Sequence, residues 1–246
     1  MIDRGARVKS IIGTCGSSIS ELELTKTSLY SNTLILAEEG SGKTNLSAKI
    51  RQHVIDNNVP TLYMDFSNPL NDEVESRFRD ENFNYMKFEE TDAFDEMLTQ
   101  AVKERKHVYL AIDPAFFSNM KEVKSKISIM LSSSELLGNY YYFFHEIAQL
   151  NAFYTKFEDF LRYIFDLISM QKYGLTFLTQ PHEIFEDPKL KLLFTYLYLG
   201  RCSNANYFNT SILKNMKRNV FLHQYRQNHR SLLFNEIKSD IVTIGE

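Results

Sequence analysis

Short apolar runs alternating with amphipathic stretches set the rhythm of this chain. Thr33-Leu34-Ile35-Leu36 is bounded by Ser31-Asn32 on one side and a glycine-rich loop on the other, which suits a central strand buried on both faces. From Thr44 onward Leu46, Ile50 and Val54 recur at helical spacing, and Pro60 closes the unit after Asn57-Asn58. Thr61 to Phe66 then predicts a second strand, and the gap of about a dozen residues suits a right-handed βαβ crossover.

The alternation continues. Thr91 is placed to cap a helix carrying Phe94, Leu98 and Val102, which leads into a strand from His107 to Ile112. Val123, Ile127 and Leu131 predict a further helix, Gly138-Asn139 a break, and Tyr140 to Phe144 a strand ending at His145-Glu146. A long helix through Phe157, Leu161, Ile164 and Ile168 precedes the strand Leu175 to Gln180. Residues 67 to 90 are acidic and irregular, with a short helix expected near Asn71 to Arg79 and an extended piece at Tyr85 to Phe88.

At the ends the pattern favours strands: Val8 to Ile12 and Ile19 to Leu24 first, then Tyr196 to Leu199, Val220 to Tyr225 and Ser231 to Ile237, the last two forming a hairpin. A helix is expected near Leu190 to Phe194. Strands alternating with helices predict an α/β fold, a mostly parallel sheet with helices on both faces and terminal β-hairpin elements. The whole of 1–246 reads as one domain: an N-terminal strand extension (1–30), a core (31–182), and a C-terminal helix and strands (183–246). No repeat or low-complexity linker divides it.

Composition narrows the function classes. The chain is 43% hydrophobic and 24% charged, and no apolar run approaches the ~20 residues of a membrane span. The amino terminus has no signal-peptide pattern, so a cytoplasmic protein is expected. A net charge of −3 gives no global basic footprint for nucleic acid, although a local basic ring or pore is compatible with it. Cys15 and Cys202 form neither a disulfide framework nor a metal pattern, and the histidines lack metal-ligand spacing. The aromatic run Tyr140 to Phe144 reads as sheet core rather than a base-stacking platform.

The chemistry lies in the loop Ala37-Glu38-Glu39-Gly40-Ser41-Gly42-Lys43-Thr44. Glycines let a backbone curl until several N–H groups face phosphate oxygens at a helix amino terminus, here through Gly40 and Gly42. In that reading Lys43 reaches the β- and γ-phosphates, and the Thr44 hydroxyl holds Mg²⁺. Ala37 departs from the glycine of the strict pattern. Hydrolysis also needs an acid at a neighbouring strand end. Asp113 and Glu146 compete: Pro114 follows the first, and His145 precedes the second. A polar residue is expected at the tip of the strand after the catalytic one, and Gln180 stands there, which favours Glu146.

From about Ile11 onward the chain resembles the FtsK–HerA superfamily of DNA-pumping ATPases. The resemblance rests on the loop with its leading strand, Tyr63-Met64-Asp65, His145-Glu146-Ile147-Ala148-Gln149-Leu150, Lys172-Tyr173-Gly174 and Thr179-Gln180-Pro181. It implies a RecA-like P-loop NTPase fold that binds ATP and Mg²⁺, with Lys43 and Thr44 on phosphate and metal, Glu146 activating water and Gln180 sensing the γ-phosphate. The family's metal-side aspartate is His145 here, so the metal shell is expected to draw on Thr44 and waters, or on Asp65 or Asp113 where either points inward. Gln171 stands where relatives often carry arginine, leaving Arg162, Lys172, Arg201 and Arg230 as candidates for an arginine finger, Lys172 and Arg201 foremost.

The resemblance further implies a homo-oligomeric ring, expected to be a hexamer, acting on double-stranded DNA. The near-bare motor resembles viral genome-packaging ATPases, with capsid vertex proteins as expected partners and the host cytoplasm or the virion as location. A conjugative or chromosomal DNA-transfer motor, and a nucleotide-binding switch with little hydrolysis, are the alternatives. The basic stretch Lys214 to Arg230 is a candidate for the DNA phosphate backbone or for a solvated hairpin edge.

Overall fold

The computed structural model describes residues 10–15, 20–67, 78, 83–88, 91–113, 139–153, 157–169, 172–204, 211–227 and 236–244. Its strands are β1 (Ser10–Cys15), β2 (Ser20–Leu24), β3 (Thr33–Leu36), β4 (Thr61–Asp65), β5 (Phe83–Lys87), β6 (His107–Ala111), β7 (Tyr141–His145), β8 (Leu175–Thr179), β9 (Tyr196–Leu199), β10 (Val220–Gln227) and β11 (Glu236–Ile244). They form one eleven-stranded sheet in the order β2-β1-β11-β10-β9-β3-β8-β7-β4-β6-β5. Every pairing from β5 to β9 is parallel, and every pairing from β9 outward to β2 is antiparallel.

Alternation along the parallel strands loads both faces. Leu34, Leu62, Met64, Val108, Leu110, Tyr142, Phe144 and Phe177 belong to one apolar layer, whereas Ile35, Tyr63, Tyr109, Tyr141, Phe143 and Leu178 belong to the other. Helix α1 (Lys43–Asp56) covers the second layer with Leu46, Ile50 and Val54. Helices α2 (Asp92–Lys103) and α3 (Phe157–Ser169) cover the first, through Phe94, Leu98, Val102, Leu161, Ile164 and Phe165. Thr91 caps α2 as its sequence position predicts, its Oγ1 accepting from the Phe94 N–H at 3.2 Å.

The aromatic run of β7 is core: Tyr142, Phe143 and Phe144 have no exposed surface. A ladder of stacked rings crosses four strands from Tyr85 through Tyr109 and Tyr63 to Phe143, with centroids 5.2–5.5 Å apart. With a period of two, Tyr63 and Phe143 place Asp65 and His145 on the α1 face, one step beyond the ladder.

Two expectations are corrected. The final strand is Glu236–Ile244 rather than Ser231 to Ile237, of which residues 231–235 lie outside the described residues. The strand is held by backbone pairing with β10 from Gln227↔Glu236 to Val220↔Thr243, and Val242 and Ile244 near its end are buried. The helix expected near Leu190 to Phe194 is one turn, Pro188–Lys191, continued by hydrogen-bonded turns that still bury Leu190 and Phe194. The helix expected at Val123 to Leu131 lies outside the described residues, as does the one at Asn71 to Arg79 except for Phe78.

The N-terminal strands pair with the chain's other end, β1 against β11 with Gly13 opposite Ile244, and are not neighbours of β3 in the sheet. Among the described residues no helix is long and apolar enough to cross a membrane.

Candidate nucleotide site

The carboxyl ends of β3, β8 and β7 open on one cleft of about 400 Å³, within the roughly 300–1,000 Å³ of small-molecule sites. Glu38, Glu39, Gly40, Gly42, Lys43, Thr44, His145, Glu146 and Gln180 line it. Ala37 and Ser41 are buried behind that lining. The structure therefore gathers the predicted loop, catalytic acid and strand-tip glutamine around one space.

The loop is shaped by two left-handed glycines, Gly40 at φ 73° and Gly42 at φ 97°. A side chain on Gly40 would meet nothing within 4 Å, so its backbone is open to the cleft. A Cβ on Gly42 would fall 2.1 Å from Asn219 Oδ1, so that position has room for glycine alone. Gly42 is also the N-cap of α1, which turns the helix's free N–H groups and positive dipole end toward the cleft.

Lys43 is 7% exposed. Its Nζ donates to the Ala37 carbonyl at 2.7 Å and lies 3.6 Å from Glu146 Oε1. Burial pulls the ammonium below the ordinary lysine range, against the raising pull of Glu146, Glu39 and Glu38.

β8 separates β3 from β7, so Glu146 must reach across its tip. The backbone makes that reach by turning left-handed at Glu146 (φ 55°), with the Glu146 N–H donating to the Leu178 carbonyl at 2.6 Å. Glu146 Oε2 then accepts from the Gln180 N–H at 3.3 Å and from Thr179 Oγ1 at 3.5 Å. Gln180 thus touches the acid through its main chain, while its exposed side chain lines the cleft.

Asp65, at the tip of β4, is the neighbour of His145 in register. Its Oδ2 accepts from His145 Nδ1 at 2.8 Å and from the Tyr109 hydroxyl at 2.6 Å. Its Oδ1 accepts from the Ser67 N–H at 2.9 Å and the Ser67 hydroxyl at 2.6 Å. Burial would raise the Asp65 carboxyl, but the His145 bond and charge, with Ser67 and Tyr109, hold it below the usual range. Burial likewise lowers His145, and the bond to Asp65 with the charges of Asp65 and Glu146 lifts it above the usual range. Asp113 follows β6, on the far side of β4 from β7, and does not line the cleft.

Of the arginine-finger candidates, Arg201 lies on its own chain's loop, donating to the Glu39 carbonyl at 3.1 Å, with its Nε 3.5 Å from Glu38 Oε2. Glu38 also accepts from the N–H and hydroxyl of Ser203. Arg162 approaches Asp187 at 3.9 Å, and Lys172 lies 5.2 Å over the Tyr173 ring, just before β8 begins. Arg230 lies outside the described residues.

Asn45, Ser67, Gln149 and Arg218 also line the cleft; the sequence assigned a site role to none of them individually, although Gln149 lies in the stretch after Glu146 and Arg218 in the basic segment Lys214 to Arg230. Arg218 is brought there by Asn219, which stands at φ 62° and clamps the loop: its N–H donates to the Ser41 carbonyl at 2.9 Å and its Oδ1 accepts from Asn45 Nδ2 at 3.2 Å. An asparagine beside a basic residue just before a strand is the one sequence signal for this contact, since asparagine tolerates the left-handed region.

Among the described residues no three histidine, cysteine, aspartate or glutamate side chains gather into a metal cage. Of the groups facing the cleft, Thr44 and Glu146 offer oxygens of the kind a Mg²⁺ ion takes when phosphate and water complete its shell, whereas His145 offers a nitrogen.

No protein-family model matches the sequence, and no curated protein matches it. Solved structures do. VirB4 of Thermoanaerobacter pseudethanolicus superposes with a TM-score of 0.61 at 11% identity, covering 96% of this chain and 96% of that one. The genome packaging NTPase B204 from Sulfolobus turreted icosahedral virus 2, in complex with AMPPCP, gives 0.54 at 14% identity over 88% and 99%. The cytoplasmic domain of the Thermomonospora curvata Type VII secretion ATPase EccC gives 0.55 at 12% identity; 98% of this chain matches, but it spans only 26% of that chain. The likeness is one of fold: this chain has the α/β P-loop NTPase fold of these structures.

Proposed function

We propose that this protein is an ATP-hydrolysing translocase of double-stranded DNA, working as a homo-oligomeric ring, a hexamer, in viral genome packaging. The observation that carries the hydrolytic part is the convergence of Lys43, Glu146 and Gln180 at the tips of three adjacent strands. The loop N–H groups and Lys43 bind the β- and γ-phosphates, and Glu146 orients a water and accepts its proton as the water oxygen attacks the γ-phosphorus in line. The bond from the γ-phosphorus to the β,γ-bridging oxygen breaks, giving inorganic phosphate, with ADP as the leaving group and its phosphates still held by the loop. Mg²⁺, held by Thr44, would neutralise charge building on the phosphate oxygens. Gln180, bonded to the acid through its main chain and open to the cleft through its side chain, relays the loss of the γ-phosphate.

The DNA-packaging role draws support from the fold likeness to B204, a genome packaging NTPase of which this chain covers 99%. A conjugative or chromosomal DNA-transfer motor is the second member of the same class. His145 in the metal-side position favours one reading outside that class, a nucleotide-dependent switch with slow turnover. The deciding experiment is phosphate release with and without double-stranded DNA, alongside a native-mass measurement. DNA-stimulated turnover by a ring is expected; a monomer indifferent to DNA would overturn the motor, and tight ATP binding with negligible turnover would favour the switch.

A further inference from the structure

We propose that His145 Nε2 is a direct protein ligand of the divalent cation that enters with the nucleotide, with Asp65 acting through the imidazole ring. The inference rests on the nucleotide-binding reading above.

The ring is oriented by the carboxylate behind it. Both Asp65 oxygens are occupied, each by two donors, and a carboxylate has no proton to give, so His145 Nδ1 is the donating nitrogen. With Nδ1 committed to Asp65, Nε2 is the nitrogen whose lone pair a cation can take in place of a proton. Nε2 lies 3.9 Å from Glu146 Oε1, too far for a hydrogen bond, and His145 lines the same cleft as Thr44. Asp65 itself is 3% exposed and saturated, so it cannot approach an ion at the phosphate loop. A carboxylate holding one ring nitrogen while the other faces outward is the arrangement that orients metal-ligating histidines and raises their basicity. Asp65 therefore contributes its charge one ring removed, and Tyr109 and Ser67 are positioning residues for it.

A nitrogen donor shifts metal preference. Imidazole favours Mn²⁺, Co²⁺ and Zn²⁺ relative to Mg²⁺, more than an oxygen-only shell does. Nucleotide affinity in this protein should accordingly be higher with Mn²⁺ than with Mg²⁺, and His145→Asn should narrow that gap by about tenfold. His145→Asn keeps an amide donor for Asp65 and removes Nε2, so affinity for metal-free ADP should stay within about twofold of wild type.

The direct test is pulsed electron paramagnetic resonance of Mn²⁺·ADP bound to the full chain labelled with ¹⁵N-histidine. A ¹⁵N coupling in the echo envelope, absent in His145→Asn, is the expected result, and the label excludes adenine nitrogens as its source. Bound Mn²⁺·ADP without that coupling in the wild-type protein overturns the inference while leaving the nucleotide site intact. Failure to bind ADP with any metal would sink both. Because the decisive spectrum is taken on the wild-type chain, a variant that misfolds does not rescue the idea.

Discussion

Lys43 Nζ lies 3.6 Å from Glu146 Oε1, so the residue assigned to phosphate and the residue assigned to water are paired with each other across the cleft. ATP must replace one partner of this pair, and the two side chains separate in their effects. Glu146→Gln should bind ATP as well as wild type or better, because Lys43 is freed, while turnover falls by about 10²–10⁴-fold with loss of the general base. Lys43→Ala should lose nucleotide binding itself. Equilibrium binding and phosphate release measured on both variants check the pair; full turnover in Glu146→Gln would remove Glu146 from the chemistry.

Asn219 gives a test in which the smaller residue is the milder one. Its φ of 62° costs an alanine about 1 kcal/mol that glycine avoids, and either change loses the Oδ1 bond to Asn45. Urea unfolding should therefore rank Asn219→Ala below Asn219→Gly, and both below wild type. An alanine variant as stable as the glycine one would mean that the left-handed turn is not held in solution.

His223 makes stability fall on the acid side. It is 4% exposed, stacked on Tyr198 at 4.5 Å and beside Tyr225, and burial pushes its pKa down to about 4. An unfolded chain takes up the proton near pH 6.5, whereas the native one does so only near 4. Stability is thus fully present above 6.5 and is lost as pH falls toward 4, by roughly 3 kcal/mol in all. His223→Phe should flatten that part of the profile in chemical denaturation; an unchanged slope would exclude His223 as its source.

Arg218 faces the cleft from the same chain and is exposed. A guanidinium bonded to a phosphate contributes about 1.5–3 kcal/mol, so Arg218→Ala should weaken ATP binding about tenfold or more and change urea stability little. Calorimetric titration with ATP decides it; unaltered affinity would make Arg218 a bystander at the rim.

Much of this was legible in the sequence, because local patterns govern the parallel half of the sheet. The runs at Thr33, Thr61, His107, Tyr140 and Leu175 are buried on both faces and advertise themselves by composition alone. The same holds for Lys43, whose loop is local. Glu146 was readable through the order of elements, with Gln180 marking the next strand tip. The roles of Asp65 and Arg218 were not, since each depends on a register between distant segments: Asp65 opposite His145 in parallel strands, and Arg218 carried in by a left-handed Asn219. The end of β11 escaped for a related reason. Lys238-Ser239-Asp240 carries no apolar signal, and antiparallel pairing with β10 alone makes it strand.

The clamp at Asn219 also sets how motion travels. Its N–H holds Ser41 in the phosphate loop, and its carbonyl accepts from Ile244 at the end of β11 at 2.7 Å. One residue thus bridges the loop and the outer, antiparallel wing of the sheet, on which the first described strands of the chain are also hung. Any tilt of that wing arrives at Ser41 as a pull on a hydrogen bond, so the loop doubles as a strain gauge for the periphery.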